Sequence, residues 1–143
     1  MSTTDLFRAA VEERDLEQLP DLFTEDISFY SPVKFRPFRG RQQVLGLFGV
    51  LLRTFEDFRY IGRFEGTAET SDDGTEAPTA VLAFRATVDG KEIHGIDQLQ
   101  FDEQGRIKEF TVMVRPQSAL QALSEAVFAG LVADGLVPDP SAG

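Results

Sequence analysis

The sequence has no cysteine and no tryptophan, a single histidine, and two tyrosines beside thirteen phenylalanines. Without cysteine there is no disulfide and no thiolate to act as nucleophile or metal ligand. One histidine excludes a multi-histidine metal centre, and no metal or other cofactor is expected. Basic residues are also few: 14 Lys and Arg stand against 24 Asp and Glu, a net charge of −10. So acidic a surface repels phosphate backbones, so a nucleic-acid partner is not expected. No apolar run approaches the roughly 20 residues of a membrane-spanning helix. The N-terminus, MSTTDLFRAAVEERD, is charged and amphipathic, unlike a signal peptide. A cytoplasmic location without a membrane partner is the expectation.

What is present fits one globular domain of 143 residues, with 42% apolar residues and an interior dominated by Phe. Phe brings area without a hydrogen-bonding handle, which suits a large core or an apolar cavity. Periodicity near 3.6 predicts a helix over residues 3–14, capped by Thr3 or Thr4, with Phe7, Ala10 and Val11 inward. A second short helix is expected over 15–23, interrupted at Pro20, then a strand in DISFYSP and a loop in VKFRPFRG. Residues 41–55 carry Val44, Leu47, Phe48, Leu51, Leu52 and Phe55 at helical spacing.

The period then drops to 2. Phe58, Tyr60 and Phe64 alternate with polar residues, as do Leu82, Phe84, Ala86 and Val88. In EIHGIDQLQF, residues Ile93, Gly95, Asp97, Leu99 and Phe101 share one face. Tight turns at DGK and DEQGR and a last strand, IKEFTVMV, complete a meander. A final helix spans 117–133. The expected organisation is one α+β domain over residues 1–134, with a curved antiparallel sheet wrapped on helices, and a loose tail over 135–143.

The segments ERDLEQLPDLFTEDISFYSP, FRGRQQVLGLF and GIDQLQFDEQGRI carry a resemblance. Together they resemble the NTF2-like superfamily, and SnoaL-like proteins and ketosteroid isomerases in particular, over residues about 3 to 116. The resemblance implies a cone-shaped sheet around an apolar cavity, helices closing one side, and a dimer through the outer sheet face. It also implies a role for Asp97. In the isomerases an acid in an ID-x-x-x-F strand faces the cavity and, kept protonated, donates a hydrogen bond to the substrate oxygen. Alternation independently turns Asp97 inward and His94 outward, and burial raises a carboxyl's pKa. The isomerases' base, an Asp before Pro at the end of the first strand, is here Ser31, and their oxyanion tyrosine is Phe7. The acid of the cyclases and the Asp-Arg-Asp relay of the epoxide hydrolases have no counterpart.

Three functions stay open on these residues. The first is a homodimer binding a small hydrophobic molecule with an oxygen acceptor, in a cavity lined by Phe7, Phe29, Ser31, Phe55, Phe84, Asp97, Leu99, Phe110 and Val112. The second is an isomerase, cyclase or hydrolase with protonated Asp97 as catalytic acid. The third is an interaction module whose cavity is filled by its own side chains. Asp97 can also be read as a structural acid satisfied by Tyr30, Ser31 or backbone. The cations Lys34, Arg36, Arg39 and Arg41 either attract an anion to the cavity mouth or form a solvated loop.

Overall fold

The computed structural model describes residues 1–138. Three helices, α1 (Thr3–Glu12), α2 (Arg41–Thr54) and α3 (Gln117–Ala133), pack on one six-stranded sheet. The strands are β1 (Phe23–Tyr30), β2 (Phe38–Arg39), β3 (Glu56–Glu69), β4 (Glu76–Val88), β5 (Lys91–Phe101) and β6 (Ile107–Arg115). Their order across the sheet is β2-β1-β6-β5-β4-β3. All neighbours are antiparallel except β1 and β6, which run parallel. That parallel pairing follows from the chain passing through α2 and the whole β3–β6 meander before it returns beside β1.

Helix α1 begins one residue earlier than the threonines suggest. Ser2 caps it by accepting from the Asp5 N–H at 3.1 Å, and the Asp5 carboxylate accepts from the Ser2 N–H at 3.2 Å. Residues 15–23 form two separate 3₁₀ turns, Leu16–Gln18 and Pro20–Leu22, because the proline has no N–H to continue a single helix. Leu16, at the start of the first turn, is exposed. The loop after β1 holds the short strand β2, which pairs Phe38 with Phe29.

The sheet's inner face follows the alternation through β4 and β5: Leu82, Phe84, Ala86, Val88, Ile93, Asp97 and Leu99 are all buried. Two bulges reverse it elsewhere. One in β3, between Tyr60 and Gly62, squeezes Ile61 out of register. It turns Phe64 outward, 65% exposed, and turns Arg63 toward α1, where it pairs with Asp5 at 2.6 Å. The other, between Gln100 and Phe101, leaves Phe101 half-buried and buries Gln100, whose amide donates to the Ala68 and Glu69 carbonyls at 3.2 Å.

Of the expected tail, residues 139–143 lie outside the described residues. Residues 135–137 depart from the expectation: Leu136 leans on Gly46 of α2, and Val137 packs against the core.

The outer sheet face carries an apolar band. Ile61, Phe64 and Met113 are 52%, 65% and 57% exposed, and Ala83 and Ile96 join the same rows. A band of this kind is expected to be covered by a second copy of the chain. Light scattering at micromolar concentration is predicted to give a dimer, and Phe64→Asp with Met113→Asp a monomer. A monomeric unmodified protein would refute the outer face as a dimer surface.

Candidate functional site

The sheet curves away from α2 at one end, and a cavity of about 140 Å³ lies between them. Aromatic rings from both layers form its walls. Phe29, Phe48 and Phe110 stand on one side, with Phe29 and Phe110 stacked at 5.1 Å. Phe55, Phe58 and Phe84 stand on the other, with Phe58 and Phe84 stacked at 4.9 Å. Leu123, Val127 and Leu131 of α3 close the remaining side with Val137.

Asp97 lies in this wall. Its cross-strand neighbours, Leu82 on β4 and Val112 on β6, are apolar and offer it nothing. The side chain is 7% exposed. Its one hydrogen bond comes from Tyr60, whose hydroxyl donates to Oδ2 at 2.7 Å; among the described residues Oδ1 has no partner. Burial pushes the Asp97 carboxyl up to about 7, and the bond from Tyr60 opposes that shift. The Tyr60 phenol is raised well above its ordinary value, first by burial and then by the nearby Asp97 charge.

Gly95 makes the contact possible. Tyr60 pairs with Phe84, and Phe84 pairs with Gly95, one inward position before Asp97. A Cβ on residue 95 would stand 2.5 Å from Phe84 Cζ and 2.7 Å from the Met113 carbonyl oxygen. The bare glycine lets the Phe84 ring lie across β5. Tyr60 then stands edge-on to Phe84 and Phe58, at 6.5 and 4.9 Å, and reaches over β4 to Asp97. The Arg8 guanidinium lies over the Tyr60 ring at 5.9 Å.

Of the residues expected on the wall, Phe29, Ser31, Phe55, Phe84, Asp97, Phe110 and Val112 reach it. Phe7 and Leu99 do not. Phe7 is fully buried between Phe48 and Phe110, at 5.9 and 5.3 Å, because α1 fills the closed end of the cone. Leu99 sits opposite Phe110 in the same filled end. Ser31 does not serve Asp97: its hydroxyl accepts the N–H of Val33 at 3.3 Å and of Lys34 at 3.1 Å. Tyr30 faces a separate outer groove. His94 lies in an outer row between Arg85 and Arg115, away from Asp97. Tyr60 is the partner that sequence reasoning missed. Its inward parity was visible, but its contact with Asp97 depends on the register of three strands. Among the described residues no group of three or more His, Cys, Asp or Glu is placed to hold a metal. Among the described residues no helix is long and apolar enough to cross a membrane.

A curved mixed sheet closed by helices around an apolar hollow with an inward acid defines an NTF2-like cavity protein. The sequence model of the SnoaL-like domain family matches residues 4–110, and the chain belongs to that family. It is similar to a solved steroid delta-isomerase from Pseudomonas aeruginosa, with 36% identity over 94% of this chain and 93% of that one and a TM-score of 0.81. A protein with a cystatin-like fold from Silicibacter pomeroyi has 26% identity over 93% and 87% of the two chains, also with a TM-score of 0.81. An NTF2-like protein of unknown function from Cytophaga hutchinsonii, 16% identical over 82% and 94% with a TM-score of 0.56, shares the fold. No functionally curated protein matches the sequence.

Two predictions follow from this geometry. The folded-state pKa of Asp97, about 7, lies above its ordinary value of 3.8, so the native state holds the proton more tightly than the unfolded chain. The stabilisation is complete below pH 3.8 and is lost as pH rises through about 7. The loss is on the order of 4 kcal/mol. Asp97→Asn stays neutral and still accepts from Tyr60. Its melting temperature should match the unmodified protein near pH 3.5, rise relative to it between about pH 4 and 7, and exceed it by about ten degrees at pH 8. A constant difference across that range would contradict a buried, protonated acid. Gly95→Ala should destabilise by about 1–3 kcal/mol, because the Met113 carbonyl cannot move aside. It should also shift the tyrosine absorbance of Tyr60. An unperturbed variant would show that Phe84 does not rest on β5.

Proposed function

We propose that this SnoaL-like protein binds a small apolar molecule carrying an oxygen acceptor, and that Asp97 donates the hydrogen bond that orients it. One observation carries the reading. Asp97 Oδ1 is unclaimed in the wall of an otherwise apolar cavity, while Oδ2 is held by Tyr60. A neutral carboxyl held on one oxygen can present a proton at the other, and in a water-poor site that donor is worth more than in solution. Specific pockets take this form, apolar walls with a few placed polar groups.

Size narrows the ligand. A dry apolar cavity of about 150 Å³ takes benzene, whereas drug-sized ligands need roughly 300–1,000 Å³. A cavity of about 140 Å³ therefore suits a single ring or a short branched chain, not a tetracyclic steroid.

The similarity to a steroid delta-isomerase favours a second reading, proton transfer at a carbon beside a carbonyl. A carboxyl near pH 7 can take a proton as well as give one, and the Tyr60 hydroxyl fixes it by holding its other oxygen. Against it, Ser31 stands where those isomerases place their base, and its hydroxyl is occupied by two backbone N–H groups.

Calorimetry with acetophenone and ethylbenzene separates these readings. The ketone should bind more tightly than the hydrocarbon by about three- to tenfold, the worth of one hydrogen bond. Asp97→Ala should abolish the difference and leave ethylbenzene binding intact. Equal binding of both probes to the unmodified protein would sink the donor role. A β,γ-unsaturated ketosteroid should be converted slowly or not at all by the unmodified protein, and efficient turnover would establish the enzyme reading instead.

A further inference from the structure

We propose that the ligand is an amphipathic organic anion, with its apolar end beside Asp97 and its carboxylate or phosphate outside, in a groove bordered by Lys34, Arg36 and Arg39. This deepens the cavity reading above and rests on it.

The groove holds about 670 Å³ and shares Ser31, Pro32, Lys34 and Val112 with the cavity. The partition between the two hollows is thus Val112 of β6 and the start of the loop after β1, whose turn is fixed by the Ser31 hydroxyl on the Val33 and Lys34 N–H groups. A molecule seated in one hollow can continue into the other by crossing this short wall.

The charge of the groove runs against that of the protein. The chain carries −10 overall, yet Lys34, Arg36, Arg39 and Arg41 fall within eight positions. Arg41 turns away and donates to the Phe23 carbonyl at 3.0 Å. The other three border the groove. Arg39 donates to Ser28 Oγ at 3.3 Å and to no carboxylate. Among the described residues the Lys34 and Arg36 side chains make neither hydrogen bond nor ion pair, whereas Arg8, Arg53 and Arg63 each have a carboxylate partner. One carboxylate, Asp72, opposes the three cations from the facing wall. The groove also exposes apolar surface at Phe35, which is 95% exposed. A bare aromatic ring among cations matches an organic anion better than an inorganic one.

The probes are benzoylpropionate, its neutral amide, and phenacyl phosphate, which share one aryl ketone and differ in the tail. Calorimetry at low ionic strength should show the two anions binding about two- to fivefold more tightly than the amide, since an exposed ion pair adds up to about fivefold. In 1 M NaCl, where the Debye length is about 3 Å, the gap should close. Lys34→Glu with Arg36→Glu should erase or invert the preference. Asp72→Asn should tighten both anions. The anion that loses more on charge reversal identifies the headgroup, carboxylate or phosphate. Asp97→Ala should weaken all three probes alike. If the amide binds as tightly as the anions, or the preference survives the double charge reversal, the groove proposal is overturned and the cavity reading stands. If none of the three binds, both fall.

Discussion

The spacing between α2 and the sheet is set by rigid aromatic rings, and the site depends on that spacing. Phe48 of α2 meets Phe7, Phe23, Phe29 and Phe110 within 5.3–5.9 Å, mostly edge to face. A phenyl ring cannot shorten or fold to close a gap, so these contacts hold the helix off β1 and β6 at one end of the cone. A second ring cluster stands at the other end of the hollow. The rings there, Phe55, Phe58 and Phe84, pack on one another and not on Phe48. The hollow is the distance between the two ring clusters. Its last side is closed by α3, which comes close to α2 because Gly130 has no side chain opposite Val50.

How much of this the sequence showed depends on where backbone regularity holds. Strict alternation runs unbroken over Leu82–Val88 and Ile93–Leu99, so that inward set and the orientation of Asp97 can be read directly. A bulge shifts the phase by one residue without a compositional mark of its own, so the alternation places Phe64 beside Tyr60 where the structure turns it outward. Phe7 illustrates a different limit. Its burial was legible, but whether a buried ring faces a filled core or a hollow depends on the curvature of the sheet. The Tyr60–Asp97 bond joins residues 37 positions apart across two strand pairings, and each side chain taken alone suggests other partners. Gly95 carried the missing signal: a glycine in the middle of a central strand marks a close approach, here the Phe84 ring that supports Tyr60.

Ser31 shows how a single position can redirect a fold. At the end of β1 its hydroxyl closes a turn on the two following N–H groups instead of facing Asp97. A carboxylate there would meet the same two donors, which favour its charged form and lower its basicity. The loop it organises carries Lys34 and Arg36 outward to solvent. One local hydrogen-bond pattern thus both occupies the Ser31 hydroxyl and orders the start of the loop that bears these cations.

The fold contains its own standard for judging Asp97. Glu109, on β6, is also buried, at 3% exposure. Both of its oxygens are claimed by the turn after β3, Oε1 by the Ser71 N–H at 2.8 Å and Oε2 by the Asp72 N–H at 3.1 Å. That is how a chain keeps a buried carboxylate for structure: each oxygen meets a backbone donor and the charge is compensated in place. Asp97 has one donor for two oxygens, apolar neighbours on both flanking strands, and a hollow in front of it. As a purely structural group it is a poor solution, because an apolar residue there would avoid the desolvation of a carboxyl that gains a single bond. The arrangement becomes favourable when something in the hollow accepts the second bond. The contrast between two equally buried acids in one sheet, one saturated and one half-used, is the physical ground for placing the site at Asp97.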